Sequence, residues 1–348
     1  HRDLHSFPTR RSSDLAAVAA YRRAGQRLAG PPLGSRSIAM TEPSRPRIIL
    51  DTDPGVDDAI AIITAARWAD LVGITTVAGN VPVEHTTANA LRLRDLLGLD
   101  VPVHRGADRP LEAEPLHARH VHGAVGLGKV DLPEADRGPD SEDAVGFLVE
   151  ATRREEGLHL VPVGPLTNVA LALRADPALA DRVASITLMG GGAGVGNVTA
   201  AAEFNVFADP EAADVVFRSR APVTMVGLNL THQDRMGGGH AKACRAMGTP
   251  VGTVAADLLD FNTRVHRSAS EATTGAMHDP CAVLVVTHPE VFQCKPRAVI
   301  VELAGTHTRG QTLVDERGWP GIEPNCLVAY GVDADRALEL IMQAIAEA

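Results

Sequence analysis

Cysteine is scarce and scattered: Cys244, Cys281, Cys294 and Cys326 are the four in 348 residues, and no two form a Cys-x-x-Cys pair. Each has apolar neighbours, as in Cys281-Ala-Val-Leu-Val-Val, so the spacing argues against zinc and a disulfide frame and predicts buried, reduced thiols of a cytosolic protein. No apolar run approaches the ~20 residues that a bilayer crossing needs. Basic excess is also missing, because 33 Lys and Arg face 43 Asp and Glu, and a formal charge of −10 repels nucleic-acid phosphate. With 45% hydrophobic and 22% charged residues, the chain can bury a sizeable core, which excludes global disorder.

The start of the chain differs in kind from the rest. Residues 1–39 carry seven Arg, no Lys and two Asp, and show neither helical nor alternating periodicity. The Ala-rich piece at 16–20 is too short for a secretory core. Arg and Ser richness suits an organellar transit segment, yet the run 3–15 is similar to a recurrent translated-adapter sequence, and Met40 is the expected start. Segment 1–45 is therefore expected to be a disordered or non-native extension.

From residue 47 onward, short β-branched runs alternate with Ala/Leu-rich helical periods, the pattern of βαβ units. Strands are expected at Arg47–Leu50, Val72–Val77, Val101–His104, Leu158–Val163, Ile186–Met189 and Val223–Leu228, with helices between them. The tail adds strands near 297–303, 311–314 and 327–330 and a last helix, while 105–140, rich in Pro, Gly and His, reads as a long functional loop. No repeat or linker divides 46–348. The expectation is one α/β domain with an open, mostly parallel sheet, helices on both faces and an active site at the carboxyl ends of the strands.

The chemistry gathers after the first strand. Ile48-Ile-Leu-Asp51-Thr-Asp53-Pro-Gly55-Val-Asp57-Asp58-Ala59 puts four Asp at the carboxyl end of a buried strand. Asp57 and Asp58 fall on the first turn of the next helix, where the dipole favours negative charge. Capping accounts for one or two of these carboxylates but not for all four. Their mutual repulsion calls for a hard divalent cation with oxygen ligands, calcium or magnesium rather than zinc.

This run resembles the signature of the inosine-uridine preferring nucleoside hydrolases. The likeness extends over most of 46–345, through Val77-Ala-Gly-Asn80, His122-Gly-x-x-Gly-Leu-Gly128, Gly164-Pro-Leu-Thr-Asn168, Leu188-Met-Gly-Gly-Gly192, Ala202-Glu-Phe-Asn-Val206 and His278-Asp-Pro280. It implies a nucleoside hydrolase fold and hydrolysis of the N-glycosidic bond of ribonucleosides to ribose and free base. It also implies Ca²⁺ held by Asp53, Asp58, Asp279 and the carbonyl of Val163, where relatives commonly have Thr. Calcium would carry the attacking water and Asp53 would take its proton, while Asp57, Asn80, Asn197, Glu203 and Asn205 would grip the ribose and His278 would assist the departing base. His122 would face the base or sugar. A homodimer or homotetramer in the cytoplasm, working in purine or pyrimidine salvage, is expected.

Blander readings stand beside these. Asn80 and Asn197 follow glycine and suit turns, and Glu203-Phe-Asn205 suits loop surface. His117, His120 and His122 suggest a zinc triad but lack Cys or acidic company. Gly192-x-Gly-x-Gly196 lacks the following helix of a dinucleotide loop. Haloacid-dehalogenase-like phosphatases also place Asp-x-Asp after a first strand, but Pro54-Gly55 followed by Asp57-Asp58 departs from their pattern. A calcium- or ribose-binding relative without turnover is disfavoured by intact Asp53, Asn205 and His278. Near 261–270 relatives carry aromatic rings, whereas this chain has Phe261, Asn262 and His266, and Trp68 and Trp319 are its only tryptophans. Few rings for stacking favour a nonspecific or pyrimidine-tolerant enzyme over one that sandwiches a purine.

Overall fold

In strand β1 (Arg47–Thr52), successive side chains point to opposite faces of a sheet, and every residue after Arg47 is buried. Ile48 and Leu50 pack into one apolar layer with Ile60, Ile63 and Leu340; Ile49 packs into the other with Leu148, Val169 and Leu173. Burial on both faces is what a parallel strand between two helical layers requires. These features come from a computed structural model describing residues 45–270, 273–319 and 321–348, without the side chains of 266–270. The 1–44 segment and the His266 side chain, both named above, lie outside the described residues. Arg45–Ala348 gathers into one compact unit.

β1 lies at the centre of an open eight-stranded sheet. Its other members are β2 (Asp70–Thr76), β3 (Val103–Arg105), β4 (His159–Pro162), β5 (Ser185–Met189), β6 (Val223–Val226), β9 (Phe292–Arg297) and β12 (Cys326–Val332). The order is β3-β2-β1-β4-β5-β6-β12-β9, parallel throughout except for the antiparallel edge strand β9. Two small antiparallel pairs stand apart: β7 (Arg235–Gly237) with β8 (Thr274–Ala276), and β10 (Val299–Val301) with β11 (Thr312–Val314).

The chain runs outward from β1 through β2 to β3, then returns to start β4 on the other side of β1. That reversal opens a crevice at the carboxyl ends of β1 and β4, the place where open α/β sheets bind ligands. Asp51 pairs with Pro162 in register, so Val163 follows beside Thr52 and Gly164 comes against Asp53 at its mouth. The expected 105–140 connection is mainly irregular, with one short helix at Arg119–His122. It is tied back to the loop after β2 by Ala118 N–H donating to the Asn80 carbonyl at 3.0 Å. Among the cysteines, Cys244, Cys281 and Cys326 are buried as expected, but Cys294 is exposed, because it lies on edge strand β9.

Candidate active site

Asp58 opens the helix Val56–Trp68, and its Oδ2 accepts from the Gly55 N–H at 2.9 Å, which is the capping role. The same carboxylate also accepts from Thr52 Oγ1 at 2.6 Å, from the Asp53 N–H at 3.2 Å and from Asn80 Nδ2 at 3.1 Å. Asp53 is differently placed. Its Oδ2 accepts from the Asn80 N–H at 2.6 Å, while Oδ1 is buried without a partner. A buried oxygen left in that state costs about 1–3 kcal/mol, more when charged. Asp51 turns to other work, accepting from Thr75 Oγ1 at 2.6 Å and Asn168 Nδ2 at 2.7 Å, so it braces β2 and a helix.

The further carboxylate comes from a distant segment. Asp279, on the helix His278–Thr287, joins Asp57 and Asp58, their ligand atoms all within 4.8 Å of one another. No Lys or Arg among the described residues pairs with any of them; the nearest ring nitrogen is His122 Nδ1, 4.0 Å from Asp57. Burial, then the charge of Asp58, raises Asp57 to about 7. Burial, followed by neighbouring aspartates, drives Asp53 and Asp279 well above the usual carboxylate range. All-oxygen donors, an orphaned Asp53 Oδ1 and mutual repulsion without a cation fit a hard divalent ion.

Above this floor lies a cavity of about 350 Å³, within the range of small-molecule sites. Of the residues singled out from sequence, Asp57, Asn80, His122, Val163, Asn197, Glu203, Asn205, His278 and Asp279 all line it. Asp53 and Asp58 lie behind its wall, held through Asn80. Asn205 Nδ2 donates to the Val163 carbonyl at 2.9 Å and to Met189 O at 3.1 Å, which fixes the loop after β4 to the end of β5. Glu203 is buried rather than loop surface: it caps the short helix Phe204–Ala208, accepting from Asn205 and Val206 N–H, and burial lifts it to about 7. Asn197 Oδ1 accepts from the Phe204 N–H at 2.9 Å, which ties its loop to the start of that helix.

His122 Nδ1 accepts from the Val56 N–H at 3.1 Å, which leaves the ring proton on Nε2. Burial pushes its pKa down to about 4, so the ring is neutral near pH 7. His117 instead bonds the Gly79 carbonyl at 2.8 Å, and the histidines form no metal cluster among the described residues. His278 Nδ1 shares a 2.7 Å bond with Thr231 Oγ1.

Two polar lining residues escape the sequence reading: His232, whose ring stands 5.8 Å from that of His278, and Arg235. The polar run Thr231–Arg235 just beyond the carboxyl end of β6 is the signal that marks them. Trp68 donates to the Leu340 carbonyl and Trp319 is 62% exposed; neither lines the cavity, where Phe204 is the one Phe, Tyr or Trp ring among the described residues.

The profile of the inosine-uridine preferring nucleoside hydrolase family matches residues 48–339. A pyrimidine-specific ribonucleoside hydrolase RihA from Shewanella woodyi is 43% identical over 311 residues, 88% of this chain and 98% of that protein. A RihA of the same description from Enterobacter sp. is 41% identical over 86% of this chain and 97% of its own length. Among solved structures, the purine-preferring ribonucleoside hydrolase from Gardnerella vaginalis superposes with a TM-score of 0.82 at 36% identity, over 86% of this chain and 98% of that one. The chain belongs to the inosine-uridine preferring nucleoside hydrolase family and is an enzyme of that type.

Proposed function

We propose that the protein hydrolyses the N-glycosidic bond of ribonucleosides, giving ribose and free base, with calcium as its ion. Asp53, Asp58, Asp279 and the Val163 carbonyl are the groups that would hold it, and their all-oxygen character favours calcium over zinc. Such an ion supplies Lewis-acid activation of water and of ribose hydroxyls. Asp53, with one buried oxygen uncommitted, takes the proton of the attacking water. Asp57 and Asn80 grip the ribose, together with the groups that capping leaves over: Asn197 Nδ2, Asn205 Oδ1 and the remaining lone pairs of Glu203. His278, steadied by Thr231, assists the base as it leaves. A cavity without a tryptophan sandwich supports a nonspecific or pyrimidine-tolerant enzyme.

The observation that carries this reading is the buried trio Asp57, Asp58 and Asp279 at a nucleoside-sized cavity, with Asp53 Oδ1 unpartnered behind its wall. Incubation with uridine, cytidine, inosine and adenosine in the presence of calcium, followed by assay of free ribose, tests it. Release from uridine and cytidine is expected. Release from none of the four contradicts it and leaves a binding protein.

A further inference from the structure

Arg235 is the one Lys or Arg side chain among the described residues lining the cavity. It stands on β7, paired across to Ala276 on β8, and Ala276 is two residues before His278. This strand pairing puts Arg235 in the cavity lining together with Asn262, His232 and His278. Two bonds fix its orientation: Nε donates to Thr274 Oγ1 at 3.0 Å and Nη2 to the Thr274 carbonyl at 2.7 Å. Nη1 makes no hydrogen bond among the described residues, so part of a rigid donor fork is left over. Its half-burial strengthens whatever bond that fork makes. His232 beside it is held below the usual imidazole range, by partial burial first and by the Arg235 charge second, so it does not compete as a cation.

We propose that Arg235 recognises a pyrimidine base, donating to the carbonyl at C2 that uracil and cytosine share and stabilising the charge the base acquires on departure. The inference rests on the nucleoside-hydrolysis reading and specifies its substrate class. In the step, the water oxygen bonds to C1′ as the C1′–N1 bond breaks, and the electron pair passes to the base. One water proton goes to Asp53 and is later returned through solvent to the departing base. In a pyrimidine that pair spreads from N1 to the adjoining C2 carbonyl oxygen, an acceptor suited to a guanidinium. A purine has no carbonyl beside its glycosidic nitrogen, so the same donor finds no equivalent acceptor.

The test is a comparison of kcat/KM for uridine, inosine and p-nitrophenyl β-D-riboside in the wild type, Arg235→Gln and Arg235→Lys. In Arg235→Gln, the ratio of uridine to p-nitrophenyl riboside is expected to fall about tenfold to a hundredfold, the size of a lost charge-assisted hydrogen bond. Arg235→Lys, which keeps the charge, is expected to recover part of that ratio. An equal loss on all three substrates indicates a structural role and overturns the inference, as does an unchanged ratio or a wild type that cleaves inosine alone. A wild type that releases ribose from none of them overturns instead the reading on which it rests.

Discussion

Asp53 has two oxygens with different fates. Oδ2 is committed to the Asn80 N–H at 2.6 Å, and Oδ1 is buried with nothing to accept from. Replacing Asp53 by Asn keeps the shape and removes the proposed base, so kcat on uridine is expected to fall by about a hundredfold to ten-thousandfold, with KM moving by less than about threefold. A near-normal kcat would remove Asp53 as the proton acceptor. Asp51, Asp53, Asp57 and Asp58 are legible from sequence because they are neighbours. Their division of labour is not, since Asp51 serves Thr75 and Asn168, and Asp279 arrives from a remote helix. Glu203 shows a different limit: its capping bonds are local, but its burial depends on how the loop after β5 folds back.

At the scale of elements, the site is made by loops that leave the carboxyl ends of β1, β2 and β4 and press against one another. A Cβ added to Gly79 would lie 2.1 Å from Asp53 Oδ2, and one added to Gly164 would lie 2.5 Å from Oδ1. Both glycines thus let backbone close around the carboxylate from two sides. Gly79→Ala must displace Asp53 or the loop, and a displacement near 1 Å is expected to cost roughly a hundredfold in kcat/KM. Kinetics within threefold of wild type, with a crystal structure showing Asp53 unmoved, would contradict this. The βα rhythm is legible because each unit is local and its strand is buried on both faces, as Ile48, Ile49 and Leu50 show. The β7–β8 pair is not, because its strands are three residues each and separated by two helices, so no local periodicity announces it. Edge strand β9, with Gln293, Cys294 and Lys295 exposed, lacks the apolar run that marks its parallel neighbours. The position of Arg235 in the lining follows from that missed strand pair.

For the whole molecule, an acidic chain concentrates buried carboxylates at one switch point of one sheet, an arrangement that could hold a metal ion. The titration of these groups sets how tightly it is held. Asp57 is raised to about 7 by burial, and burial also raises Asp53 and Asp279 well above the usual carboxylate range, so protons compete with a metal on the acid side of neutrality. Affinity therefore falls as pH drops through about 7 and is fullest above it, whereas a site built on permanently charged groups would show no such dependence. Calorimetric titration of chelator-stripped protein with Ca²⁺ at pH 8 and pH 6 tests the account most directly. One ion per chain is predicted at pH 8, bound at least about tenfold more weakly at pH 6; no uptake at either pH would contradict it.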